Sequence, residues 1–66
     1  MRTKLKIFRI KNKLNQHQLS AKLGYGGAYY GHVERGFQEG SAEFWQRLQK
    51  AFALTDDELQ ELKERD

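Results

Sequence analysis

The stretch Gln16-His17-Gln18-Leu19-Ser20-Ala21-Lys22-Leu23-Gly24-Tyr25-Gly26-Gly27-Ala28-Tyr29-Tyr30-Gly31-His32-Val33-Glu34-Arg35-Gly36 decides the fold. Leu19 and Leu23 stand at i, i+4, the spacing of one helical face. Asn15 ahead of them is an N-cap residue, and Gln18 occupies the third position of a capping box. Gly24 suits the left-handed residue that ends a helix, so a short helix is expected over roughly 16–23. The glycines at 26 and 27 each weaken a helix by about 1 kcal/mol relative to Ala. Beyond them, Tyr30, Val33 and Glu34 share a face, which predicts a helix over roughly 27–35 stopped by Gly36. Two short helices around a tight turn at Gly24-Tyr25-Gly26 make a helix-turn-helix candidate.

Working outward, Leu5 and Phe8 lie one turn apart with Arg9 beside them, which predicts a first helix over roughly 3–13. Residues 36–41 read as a loop, and Ser41 can cap the segment that follows. Phe44, Leu48, Ala51 and Phe52 fall at i, i+4, i+7, i+8 and predict a helix over roughly 42–52. Thr55 and Glu58 form a second capping box, opening a helix over roughly 56–65 that carries Leu59 and Leu62. Asp56, Asp57 and Glu58 sit favourably in its first turn. The expectation is an all-α chain of five short helices, a single domain over 1–66.

A core in a 66-residue chain rarely supplies more than about 3–5 kcal/mol. No Cys is present to add a disulfide or a thiolate metal site. No apolar run approaches the roughly 20 residues that span a bilayer, and the opening Met1-Arg2-Thr3-Lys4-Leu5-Lys6 does not resemble a signal peptide, so a cytoplasmic protein is expected. The net charge of +3 hides a division. Residues 1–35 hold eight Lys/Arg against the single acid Glu34, a net of +7, whereas residues 36–66 hold four bases against eight acids, a net of −4. Such asymmetry points the first half at a polyanion, although solvated helix faces also carry lysines.

The run Gln16-His17-Gln18-Leu19-Ser20-Ala21-Lys22-Leu23-Gly24, followed by Tyr30, Val33 and Glu34-Arg35-Gly36, resembles the phage repressor/Cro-like family, which includes bacterial regulators of the xenobiotic-response-element type. Its usual form is Gln-x-x-Leu-Ala-x-x-Leu-Gly, a recognition helix, then Glu-Arg/Asn-Gly. Leu5, Arg9, Phe44, Leu48, Ala51 and Phe52 also fall on its anchor positions, so the resemblance runs from about Leu5 to Leu62. It implies a compact five-helix bundle of the lambda-repressor-like type and duplex DNA as the partner. The function implied is transcriptional regulation, by repression at an operator. It also suggests pairing the lone acid Glu34 with Arg9.

With Tyr30, Val33 and Glu34 buried, rotation by 100° per residue turns Ala28, His32 and Arg35 outward, flanked by Tyr29 and Gly31. The DNA-facing set is therefore Asn15, Gln16, Gly27, Ala28, Tyr29, Gly31, His32 and Arg35. Gln16 and Arg35 are expected to hold phosphates. Gly27 and Ala28 replace the polar residues that the family uses to read bases, leaving readout to Tyr29, His32, an Ala28–thymine methyl contact and DNA shape. Glu39 and Gly40 stand where the family often has a basic residue and Pro, and Ser20 replaces a small Ala.

His17 and His32 make no metal-ligand pattern, no nucleophile and base recur at useful spacing, and no cofactor or enzymatic activity is expected. Three tyrosines could stack on single-stranded nucleic acid, but Tyr30 reads as core and Tyr25 as turn packing, leaving Tyr29 free. Trp45 is expected partly buried between the fourth and fifth helices. Ile7 and Ile10 are either scattered surface apolars or a patch for a partner, and Leu59 and Leu62 are a second candidate surface for a homodimer. The alternative function is a helix-turn-helix module that binds another protein, such as a toxin, through Ile7, Ile10 and the tyrosines.

Overall fold

The computed structural model describes residues 1–66 as five helices without strands: α1 Thr3–Lys11, α2 Gln16–Lys22, α3 Tyr29–Arg35, α4 Ala42–Phe52 and α5 Asp56–Lys63. Side-chain caps open three of the five helices. Asn15 Oδ1 accepts the Gln18 N–H at 2.7 Å while Gln18 Oε1 accepts the Asn15 N–H at 2.9 Å, closing a reciprocal box at the start of α2. Thr55 and Glu58 repeat it at α5, at 3.1 and 2.8 Å. Ser41 Oγ accepts the Phe44 N–H to open α4. Gly36, at φ 85°, closes α3 in a Schellman pattern, with Gly36 N–H donating to Val33 O and Phe37 N–H to His32 O.

Four ends differ from expectation: α2 closes one residue early, at Lys22, and α5 ends at Lys63 rather than 65 because Glu64 is already extended, at ψ 139°. The first helix stops at Lys11 rather than 13, because Lys13 adopts φ 59° and returns the chain through Lys13 N–H to Ile10 O and Leu14 N–H to Arg9 O. A non-glycine residue in this conformation costs roughly 1 kcal/mol, offset here by satisfied carbonyls and by Leu14 packing on the core. The recognition helix starts at Tyr29 rather than 27, since Ala28 at its N-terminus has no side chain to cap it.

The core comprises Leu5, Leu19, Leu23, Tyr30, Val33, Phe44, Trp45, Leu48, Leu59 and Leu62, with Phe8, Leu14, Tyr25, Tyr29, Phe52 and Leu54 packed around it. α2 lies against α3, α1 against α3 and α5, and α4 against α5. Leu59 and Leu62, read as a possible dimer surface, are each only 8% exposed. α5 closes on α1 and α4, so its apolar stripe is used within the chain. Ile7 and Ile10 remain outside, at 47% and 54% exposed.

Arg2, counted among the bases available to a polyanion, is buried. Its guanidinium donates to Val33 O at 2.6 Å, Gln38 O at 3.0 Å, Glu39 O at 3.3 Å and, through Nε, Lys63 O at 3.1 Å. It ties α1 to the ends of α3 and α5 and lies 5.5 Å from the Trp45 ring centroid. Burial lowers its pKa, reinforced by nearby Arg65 and opposed by Glu39. Glu39, in turn, pairs with Arg2 and Arg65.

Candidate nucleic-acid interface

The α2–α3 unit is held by its turn. Gly24 at φ 82° reverses the chain after α2, Tyr25 N–H donates to Ser20 O, and the buried Ser20 hydroxyl donates to Gly26 O. Ser20 thus satisfies a turn carbonyl that Ala could not reach. Beneath α3, the buried Glu34 carboxylate accepts from Arg9 Nε at 2.9 Å, Gln16 Nε2 at 2.6 Å and the Tyr30 hydroxyl at 2.9 Å. Arg9 Nη1 continues to Leu14 O at 2.9 Å. The only acid of the basic half is therefore an ion-pair centre that fixes α1, α2 and α3 together.

The expected DNA-facing residues divide. Ala28 and Arg35 are exposed on the outer side of α3, and His32 is half-buried beside Phe37, with ring centroids 6.3 Å apart. Asn15 is exposed, with its oxygen committed to the α2 cap. Gln16 does not present a free amide. Its nitrogen serves Glu34 and its oxygen accepts from Arg35 Nη1 at 3.4 Å. Gly31, expected to flank the outward face, is buried because Gln16 lies over it; a Cβ there would meet Gln16 Oε1 at 2.8 Å.

Tyr29, read as the free tyrosine, is half-buried. Its ring stacks on Tyr25 at 4.8 Å and meets Phe44 edge-on at 5.5 Å, and its hydroxyl accepts the Ser41 N–H at 3.1 Å. It joins the turn to α4 and is not extended toward a base. Phe37, within the segment that reads only as a loop, is 75% exposed immediately after α3, with the Arg35 guanidinium 5.8 Å from its ring centroid. Of the bases in residues 1–35, Lys4, Lys6, Lys11, Lys13, Lys22 and Arg35 are exposed, whereas Arg2 and Arg9 are committed to internal partners.

The family model described as "Helix-turn-helix domain" matches residues 1–62. The chain belongs to this helix-turn-helix family, of the Cro/CI-like xenobiotic-response-element group. No curated protein and no solved structure matches it. A helix-turn-helix domain suggests DNA binding, and families of this kind are typically non-enzymatic. No helix is long and apolar enough to cross a membrane, and no group of three or more potential metal-ligating side chains comes together.

The network under the helix-turn-helix unit sets a pH window. Burial opposes ionisation of Glu34, but hydrogen bonds from Arg9, Gln16 and Tyr30 outweigh it and hold its pKa below the ordinary 4.5. Below about pH 4.5 the unfolded chain takes up this proton first, so the stability Glu34 contributes is lost as pH falls through its folded pKa. Burial, then the Glu34 charge, raises the Tyr30 pKa above 10.0; that contribution is complete below pH 10.0 and is lost as pH rises beyond it. Thermal melting across pH should show a plateau with a falling limb on each side. Replacing the pair together, Arg9→Met with Glu34→Leu, strands no charge and should make the acid limb shallower; an unchanged acid limb would remove Glu34 from it.

Proposed function

We propose that the chain is a sequence-specific duplex-DNA-binding transcriptional regulator, a repressor that occupies its operator by laying the outer side of α3 in the major groove. The observation that carries this reading is the placement of Arg35 and His32 on the open side of α3, with Gln16 of α2 bonded to Arg35 and several free lysines on the same half of the chain. Arg35 would hold a backbone phosphate, steadied by Gln16, and His32 would reach a base edge. The exposed lysines add attraction that is independent of sequence. Cytoplasmic work at the nucleoid follows from this role.

Competitive binding to a selected duplex and to its scrambled counterpart separates these roles. His32→Ala should reduce preference for the selected duplex by about 1–3 kcal/mol. Arg35→Ala should weaken both duplexes together, because phosphates carry no sequence information. A preference unaffected by His32→Ala would remove His32 from base readout.

Repressors of this size gain sequence length by binding as pairs, and the proposal includes a homodimer through Ile7 and Ile10, the exposed apolar pair of α1. Sedimentation should give twice the monomer mass at high concentration, reduced to the monomer by Ile7→Lys. A monomer at every concentration would end the dimer proposal. A second reading, a protein-binding module, is favoured by one observation: Phe37 is largely exposed just past the end of α3, where an apolar partner could cover it.

A further inference from the structure

Gly27, in the turn two residues ahead of α3, and Gly31, inside it, each leave room for a side chain from α2. Gln16 fills the space over Gly31. The space over Gly27 is filled by the next residue, His17: a Cβ built on Gly27 would lie 2.5 Å from His17 Nδ1 and 2.9 Å from its Cε1. That separation is far inside contact distance, so the imidazole sits where a side chain of residue 27 would begin. The rest of the ring is farther away, with Cγ at 3.7 Å, so the imidazole lies edge-on to Gly27. His17 is exposed and makes no hydrogen bond within the chain, which leaves it open to an outside partner.

The position matters because the N-terminal end of a recognition helix approaches the base edges most closely. At that end this chain offers Gly27 and Ala28, neither with a hydrogen-bonding side chain, and Tyr29, whose half-buried hydroxyl is already engaged by the Ser41 N–H. We infer that His17 supplies the missing function, reading a purine edge in the major groove from α2 across the gap that Gly27 leaves. An imidazole has one nitrogen that donates and one that accepts when neutral, and the purine N7 is an acceptor in that groove. Gly27 is then required as space, not as a flexible backbone position; its φ is not in the left-handed region. The inference rests on the proposed DNA reading and names a residue that specifies it.

The test starts from a duplex selected by the wild-type chain out of a randomised 20-base-pair pool, compared with a scrambled duplex of the same composition. His17→Ala is expected to lower the selected-to-scrambled affinity ratio by about 5- to 100-fold, the range of one good base contact. Replacing one contacted purine by its 7-deaza analogue should lower the ratio similarly for wild type and add nothing for His17→Ala. Gly27→Ala should lower the ratio in the wild-type background, because its Cβ displaces the ring, and have no further effect beside His17→Ala. Far-ultraviolet circular dichroism checks that both variants stay helical, and His17→Gln, which keeps a donor and an acceptor, serves if His17→Ala loses its fold. A selected duplex whose ratio survives loss of His17 overturns the inference and leaves the regulator reading standing. Failure of wild type to bind or select any duplex overturns both.

Discussion

Glu34→Ala is expected to leave most of the chain unfolded at 25 °C. Truncation would strand Arg9, which is mostly buried, and remove the acceptor shared by Gln16 and Tyr30. Breaking one side of a buried ion pair costs about 3–5 kcal/mol, because the remaining charge is left without compensation. That matches the whole stability available to a domain of this size, about 3–5 kcal/mol. Arg9→Ala should act similarly, since it leaves a carboxylate inside with only neutral donors. The double replacement Arg9→Met with Glu34→Leu leaves no stranded charge and should cost less than the sum of the single losses. Urea denaturation followed by circular dichroism gives all the required values. Strict additivity would mean that the two residues act separately.

How far the chain could be read in advance depended on whether its signals were local. Asn15 with Gln18, and Thr55 with Glu58, mark helix starts through their own hydrogen bonds, and both boxes form as their spacing predicts. The end of α1 carries no such mark: Lys13 takes a left-handed conformation that favours glycine, for reasons set by Leu14 packing behind it. Rotation about α3 correctly turns Arg35 outward, but it cannot reveal that Tyr25 and Phe44 come from the turn and α4 to enclose Tyr29. Leu59 and Leu62 form an apolar stripe that would look the same facing the core or a second subunit. Arg2 is the hardest case, because its burial depends on carbonyls from three separate parts of the chain. Gly27 was visible as a departure from a family pattern, yet its use as room for His17, like that of Gly31 for Gln16, required the helices to be placed.

Affinity for duplex DNA should fall about 150-fold between 50 and 200 mM salt. Neutralising roughly four phosphates gives a log–log slope of about −3.6, since each releases close to one counterion. Four is a reasonable share of the exposed bases, because Arg2 and Arg9 are committed inside and Lys4 is paired with Glu64. Arg35→Ala should flatten the slope by about 1. Fluorescence anisotropy with a labelled random duplex measures both. A flat dependence, or no affinity at low salt, would favour the protein-binding reading instead.

On the function proposed above, duplex DNA docks on the open side of α2 and α3. Titrating the isotope-labelled chain with duplex DNA and following every backbone amide by nuclear magnetic resonance tests it most directly. The account predicts that the largest shifts fall on Gln16, His17, Ala28, His32 and Arg35, while Ile7, Ile10 and the amides of α5 change little. Shifts centred on Ile7 and Ile10, or no shifts at low salt and excess duplex, would contradict it.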